Sequence, residues 1–91
     1  MENQEDKWSK LEGLLNERQE WPTVYLFKFI VKNHEAKVEE AKSHFDEGEI
    51  TLNYSKNGNY VSVSVKEMMI DPEAVIRRYK KVGSIEGVLS L

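Results

Sequence analysis

The chain has 91 residues, enough for one domain, because two domains of this total length would each be too small to bury a core. Hydrophobic residues make up 40% and charged residues 32%, a composition typical of a small soluble globular protein. Cysteine is absent, which excludes disulfide scaffolds, cysteine-rich zinc sites and thiol nucleophiles. No apolar run reaches the roughly 20 residues of a membrane span, and residues 1–10 lack the regions of a secretory signal. We therefore expect a cytoplasmic protein without membrane contact.

The net charge of −3 is confined to one end of the chain. Residues 1–20 hold six of the 16 acidic side chains and three of the 13 basic ones, which leaves ten of each sign in residues 21–91. A neutral body has no strong field to attract nucleic acid or anionic lipid. We therefore divide the chain into an acidic leader, residues 1–20, and a single domain, residues 21–91.

The leader contains a short amphipathic helix. Its apolar side chains recur at helical spacing, at Trp8, Leu11, Leu14 and Leu15. Because so short a helix is marginal in water, it must dock on the domain or on a partner.

The domain opens with a strand and a helix. A strand is predicted over Val24–Lys32, where β-branched and aromatic residues dominate. Apolar residues at both odd and even positions predict a central strand with both faces at least partly covered. A surface helix follows over residues 35–46, and Glu47-Gly48 is predicted to end it with the glycine as a left-handed cap.

A hairpin comes next. Ile50–Ser55 and Tyr60–Lys66 alternate apolar and polar residues, and Asn57-Gly58 between them predicts a type I′ turn with positive φ at both central residues.

A second helix and a last strand complete the domain. Asp71 before Pro72 predicts a capped helix start, and Gly83 marks the end of that helix. Ile85–Leu91 is predicted as a short final strand. The order strand, helix, strand, strand, helix, strand predicts an α+β, ferredoxin-like split βαβ fold: a four-stranded antiparallel sheet with two helices on one face. The first and third strands are central in this fold, and the leader adds a short helix before it.

The core follows from the same pattern. Phe27 and Phe29 share parity on a central strand, so we expect both to face the helices. Their expected neighbours are Val61, Val63, Val65, Val75 and Tyr79.

Three segments carry a resemblance to a known family. They are LEGLLNERQEWPTVYLFKFIV, SKNGNYVSVSVKEM and the closing VGSIEGVLSL. The chain resembles the YbeD-like family of small uncharacterised bacterial proteins, with matching positions at Trp21, Pro22, Thr23, Tyr25, Lys28, Ser55, Gly58, Tyr60, Ser62, Val63 and Ser64. The resemblance implies a ferredoxin-like fold similar to ACT domains, which bind amino acids or other small effectors in metabolic enzymes. It implies a regulatory role and no established activity.

An ACT-like effector site would lie between the first strand and the first helix. Asn33 and His34 are the candidate ligand-binding residues there, with His34 beside free backbone N–H groups. The simpler interpretation, which we favour, is that one of them caps the helix. Many relatives have glycine at the end of the first strand, where this chain has Val31, and this difference disfavours a ligand.

A partner surface is the second candidate site. The face of the predicted sheet away from the helices carries Leu26, Lys28, Ile30 and Tyr60, and this surface is too apolar to be left wholly to water. Two things could cover it: the leader helix, through Trp8 and Leu11, or a second protein chain. The unpaired edges of the outer strands also allow a homodimer.

Other kinds of site have less support. No Gly-rich loop or nucleophile motif is present, so we expect no enzyme and no cofactor. Glu40 and His44 lie four residues apart without a third metal ligand, so no metal site is expected. Only Tyr60 offers a stacking aromatic for RNA on the uncovered sheet face, which makes nucleic-acid binding an alternative of low weight.

We therefore expect a small cytosolic binding or regulatory module that acts on a protein partner or a small effector. The alternatives are a weak RNA-binding domain that uses the uncovered sheet face, and a structural adaptor or dimerisation protein.

Overall fold

The computed structural model describes residues 4–45 and 48–90, which form three helices and four strands. In chain order they are α1 (Gln4–Arg18), β1 (Thr23–Lys32), α2 (Glu35–Lys42), β2 (Glu49–Tyr54), β3 (Tyr60–Met69), α3 (Pro72–Gly83) and β4 (Leu89–Ser90). The strands form one antiparallel sheet in the order β2-β3-β1-β4. The predicted α+β class, the four-stranded antiparallel sheet and the central position of the first and third strands are confirmed.

The core lies between the sheet and the helices. β1 and β3 pair along their whole length, from Thr23 opposite Met69 to Lys32 opposite Tyr60, and paired residues point to the same face. Phe27 and Phe29 are 0% exposed, as predicted. The expected neighbours of these two side chains are buried with them: Val61, Val63, Val65, Val75 and Tyr79. Side chains of α2 and α3 belong to the same core, so both helices cover one face of the sheet.

The second predicted helix is confirmed as α3. The Asp71 carboxylate accepts a hydrogen bond from the Ala74 backbone N–H at 2.8 Å, and Pro72 occupies the first turn. Glu73 and Arg77, four residues apart on this helix, form an ion pair at 3.0 Å. The helix ends at Gly83, as predicted, but Gly83 does not have a positive φ, and the Ser84 hydroxyl donates to the Lys81 carbonyl at 2.7 Å in the last turn.

The first predicted helix is too long, because α2 ends at Lys42. The Ser43 hydroxyl donates to the Glu40 carbonyl at 2.6 Å, which satisfies a free carbonyl of the last turn. Gly48 does not have a positive φ and is not a left-handed cap; Glu47 lies outside the described residues. Glycine is needed at position 48 for another reason, since a Cβ there would collide with the Val65 side chain.

The hairpin turn is not of type I′. Gly58 has φ +75°, but no residue other than glycine has a positive φ in the described part of the chain. The strands stop at Tyr54 and Tyr60, which leaves a five-residue connection in which the Gly58 N–H donates to the Ser55 carbonyl at 2.9 Å. The Asn57 side-chain oxygen accepts from the Asn59 N–H at 3.1 Å, a bond that a two-residue turn does not offer.

The last predicted strand is mostly wrong. Ile85 is only 5% exposed and lies in a turn after α3, where its N–H donates to the Val82 carbonyl at 3.1 Å. Gly87 then adopts φ +84°. Of the predicted strand, only the two residues of β4 pair with β1. Leu91 lies outside the described residues. Ile85 is apolar because it anchors the end of α3 in the core, and sequence alternation cannot separate that role from a strand position.

Candidate functional site

The face of the sheet opposite the helices is bare over much of its area, and we call it the open face. β1 contributes its even-numbered residues to it, and four apolar side chains on this face are more than half exposed: Val24 at 54%, Leu26 at 55%, Met68 at 62% and Leu89 at 62%. The prediction that both faces of β1 are at least partly covered is therefore wrong for most of this face. The three helices pack on one side only, and apolar content alone does not reveal which side.

Strand register assembles the exposed side chains into one surface. Val24 lies opposite Met68, and Ile30 lies opposite both Ser62 and Leu89. Ile30 is half-buried between these neighbours. The result is an apolar strip along β1 that continues onto both neighbouring strands.

Lysines border this strip. Lys28 lies on β1 between Leu26 and Ile30, and Lys66 lies opposite Leu26 on β3. Lys66 also lies opposite Glu49 of the edge strand β2, so the charge of Lys66 has an acidic neighbour. Lys28 lies opposite Ser64 of β3, and it has no acidic cross-strand neighbour among the described residues. The strip therefore has a positive centre.

One aromatic ring stands at the end of the open face. Tyr60 is 46% exposed and lies opposite Lys32. The structure thus brings together Leu26, Lys28, Ile30 and Tyr60, the four strand residues that the sequence placed on a partner surface. Between them, the Ser62 hydroxyl oxygen is buried and has no hydrogen-bond partner in the described part of the chain.

The leader helix does not join this surface. Trp8 stacks on Tyr79 of α3 with ring centroids 6.0 Å apart, Leu11 packs against the core, and Leu15 is buried within it. The Trp21 indole N–H donates to the Leu15 carbonyl at 3.2 Å and ties the end of α1 to the start of β1. Of the two coverings considered for the open face, the leader in cis is therefore wrong: α1 docks on the helix side, and Trp8 and Leu11 lie apart from the open-face residues.

The loop after β1 is held to the hairpin. The Asn33 side-chain amide donates to the Gly58 carbonyl at 2.9 Å, and its backbone N–H donates to the Asn59 carbonyl at 2.9 Å. His34 is the N-cap residue of α2, but its side chain makes no capping hydrogen bond. Asn33 therefore holds the loop after β1 to the hairpin. Of the two predicted ligand-binding residues, His34 is the one whose side chain has no such structural role.

A small cavity of about 240 Å³ lies beside His34. Its other lining residues are Val31, Lys32, Lys37, Glu86 and Gly87. Val31 is 1% exposed, so the end of β1 beside this cavity belongs to the core.

Sequence reasoning missed a buried ion pair. The Glu67 carboxylate is 2.7 Å from the Arg78 guanidinium, and the two side chains are 9% and 23% exposed. The Arg78 guanidinium also lies over the Phe45 ring at 5.0 Å, which gives the cation an aromatic surface inside the protein. Within residues 4–45 and 48–90, one Glu67 oxygen and one Arg78 nitrogen are buried without a hydrogen-bond partner.

The signal for this pair was present in the sequence. Glu67 continues the odd-numbered positions of Val61, Val63 and Val65, so its parity places a carboxylate on the core face. Arg78 stands in a run of cations at the end of α3, but its neighbours Arg77, Lys80 and Lys81 are exposed whereas Arg78 is half-buried.

Tyr79 is the centre of an aromatic cluster. Its hydroxyl is 3.0 Å from the Tyr25 hydroxyl, and its ring contacts Trp8, Phe27 and Phe29. Burial raises the pKa of Tyr79 well above its ordinary value, and the hydrogen bond with Tyr25 raises it further. This cluster joins α1, β1 and α3, which explains how a short leader helix stays docked.

The described residues lack two further kinds of feature. The described residues contain no group of three or more histidine, cysteine or acidic side chains that could hold a metal ion. No described helix is long and apolar enough to cross a membrane.

The structure defines a small α+β protein whose sheet is covered on one face and bare on the other. The chain belongs to the family described as protein of unknown function DUF493, which it matches over residues 16–91. This finding confirms the family resemblance drawn from the sequence. Neither a curated protein nor a solved structure matches the chain.

Proposed function

We propose that this protein is a small binding module, with a ferredoxin-like, ACT-like architecture, whose open face binds a protein partner. The observation that carries the proposal is the apolar strip of the open face, in which Val24, Leu26 and Met68 are each more than half exposed. Large exposed apolar side chains that form one surface are typical of interaction sites. Binding a partner would remove them from water.

The architecture in this proposal is supported by the order of the elements. Each strand–helix–strand half leads to a strand two places away in the sheet, and the order β2-β3-β1-β4 leaves β1 and β3 in the centre. These are the features that a split βαβ arrangement combines.

A protein partner fits the open face better than a small effector fits the loop after β1. Asn33 uses its side chain and backbone N–H to hold the hairpin, and Val31 fills the position next to the loop. The open face, in contrast, offers apolar side chains with Lys28 at their centre. The partner that matches it is a segment with apolar side chains and at least one carboxylate to pair with Lys28.

RNA is a poorer match for the same surface. Single-stranded RNA is recognised by stacking its bases on several aromatic rings, and Tyr60 is the one aromatic side chain on the described open face. The net charge of −3 also gives no long-range attraction for a polyanion.

Site-specific photo-crosslinking in cells tests the proposal. A photoreactive phenylalanine analogue is placed at Leu26 or at Met68 on the open face. The matched control carries it at Glu39 on α2, a side chain that is 63% exposed on the opposite side of the molecule. We expect the two open-face positions, and not Glu39, to give the same covalent adduct with one protein.

Each other outcome contradicts the proposal. An adduct removed by ribonuclease would show that RNA occupies the face. An adduct of twice the mass of the chain would show a homodimer. Equal labelling from all three positions would show nonspecific contact, and no adduct from any of them would show that the face has no partner.

A further inference from the structure

The outer edge of β1 is largely unpaired. β4 pairs with this edge only at Phe29 and Ile30. On the same side, residues Thr23 to Phe27 have no neighbouring strand in the described part of the chain. Backbone N–H and C=O groups along such an edge can pair with another extended chain.

β4 fixes how a further strand would lie along this edge. Ser90 lies opposite Phe29 and Leu89 lies opposite Ile30, in antiparallel register. A strand in the same line, beyond β4, would pass Phe27 and then Tyr25. Residues that lie opposite these two would point to the helix side of the sheet, because cross-strand neighbours share a face.

A groove lies on the helix side at this place. One cavity of about 250 Å³ is lined by Lys7, Trp8, Leu11, Tyr25, Tyr79 and Ser90. A second cavity of about 440 Å³ shares four of these residues and extends along α3 to Gly83 and Ser84. The partly exposed rings of Trp8 and Tyr25 offer surface in this groove for an apolar or aromatic side chain, and the Tyr79 ring, which is 6% exposed, also lines it.

The other side of the same edge is also apolar. Val24 and Leu26 point to the open face and are 54% and 55% exposed. In an added strand, every second side chain would lie beside them, while the side chains between would face the groove. The edge therefore suits a segment that is apolar on both of its faces.

We infer that the edge of β1 from Thr23 to Phe27 is a strand-addition site for an extended, apolar segment of another protein. This site is distinct from the proposed open-face interaction, because its specificity comes from backbone pairing at the strand edge and from the groove on the helix side. α1 leaves the groove accessible, since it packs chiefly against α3 and its Trp8 stacks on Tyr79 to form one wall.

An extended polypeptide satisfies both parts of the site. A small molecule in the groove would leave the backbone edge unpaired. A second copy of this chain offers two free edges, β2 and the same stretch of β1, but the side chains on the helix side of both edges pack against its own core: Ile50 and Leu52 on β2, Tyr25 and Phe27 on β1. They are not available to enter the groove of a neighbour.

Selection from random peptides tests the inference with the full chain as bait. Peptides of about ten residues, displayed on phage, match the length of a natural strand. Ser90→Trp places an indole where both cavities meet, and Ser9→Trp makes the same change at an exposed position of α1 as the matched control. We expect the chain and its Ser9→Trp variant to enrich apolar, β-branched peptides, and the Ser90→Trp variant to bind them at least about tenfold more weakly.

Backbone pairing is tested separately on one enriched peptide. N-methylation of alternate amides removes the hydrogen-bond donors on one edge of a strand and leaves the side chains intact. We expect one of the two methylation patterns to abolish binding and the other to be tolerated. Hydrogen exchange should show new protection in residues 23–27.

Several results would overturn the inference. They are the absence of any enriched peptide, peptide binding that neither methylation pattern weakens, and equal peptide binding by the two tryptophan variants. Concentration-dependent dimerisation that Ser90→Trp abolishes would assign the edge to a second copy. Because Met68 lies two strands from β4, crosslinking through Met68 can succeed or fail independently of these results.

Discussion

The two faces of β1 have similar apolar side chains and opposite environments. Phe27 and Phe29 are 0% exposed on the face that the helices cover, whereas Val24 and Leu26 are more than half exposed on the open face. The difference comes from the helices, all of which pack on one side. A strand with apolar side chains on both faces is therefore not always buried on both sides, and its uncovered face is a candidate binding surface.

The largest expected effect tests this comparison within one strand. Phe27→Ala should lower the free energy of unfolding by about 3–5 kcal/mol, because it leaves a cavity among Phe29, Phe45 and Tyr79. Leu26→Ala, one residue away on the open face, should cost less than about 1 kcal/mol. Urea denaturation measures both, and equal losses would contradict the assignment of the two faces.

A second prediction concerns the one charged residue on the core face of β3. Glu67→Ala should cost about 3 kcal/mol, because it leaves the guanidinium of Arg78 without its partner in a mostly buried site. Lys66→Ala on the open face is the control and should change the stability by less than about 0.5 kcal/mol. The double variant Glu67→Leu/Arg78→Met should recover most of the loss in the same denaturation experiment. If it is no more stable than Glu67→Ala, the buried charge is not the cause.

The hairpin turn gives a third, smaller effect, since it fixes which residues of β3 face the helices. Gly58 has φ +75°, so Gly58→Val should cost about 1–3 kcal/mol. Gly58→Asn should cost less, because asparagine tolerates this conformation better than a β-branched residue. Thermal unfolding of the two variants checks the order. A valine variant as stable as the asparagine variant would place the strain elsewhere.

The smallest effect is pH-dependent and compares a buried tyrosine with an exposed one. The pKa of Tyr79 is raised above its ordinary value, first by burial and then by the Tyr25 hydroxyl, so the folded state favours the neutral phenol. Its contribution to stability is therefore complete below about pH 10 and is lost as the pH rises above that value.

Tyr79→Phe tests whether stability is lost as the pH rises. It should cost about 1 kcal/mol at neutral pH through the lost hydrogen bond, and it should reduce the loss of stability between about pH 8 and pH 11. Tyr60→Phe, which removes an exposed phenol on the open face, is the matched control variant. Parallel profiles for the native chain and Tyr79→Phe would contradict the raised pKa.

Much of the fold was accessible from the sequence because local signals were strong. The Asp71-Pro72 start of α3 follows from capping chemistry, which involves only neighbouring residues. The pairing of β1 with β3 and the burial of Phe27 follow from alternation, whose period of two fixes a face. The four strand residues of the open-face candidate site were found by the same parity.

The tertiary structure alone decided the features that depend on distant segments. Ile85 is apolar because it packs in the core after α3, although its local pattern suggests a strand. Arg78 is placed among exposed cations in sequence, yet Glu67 and the Phe45 ring hold it inside. α1 docks through the contact of Trp8 with Tyr79, so it leaves the open face bare. Spacing along a chain determines which side chains share a face, but packing between elements determines whether that face is covered.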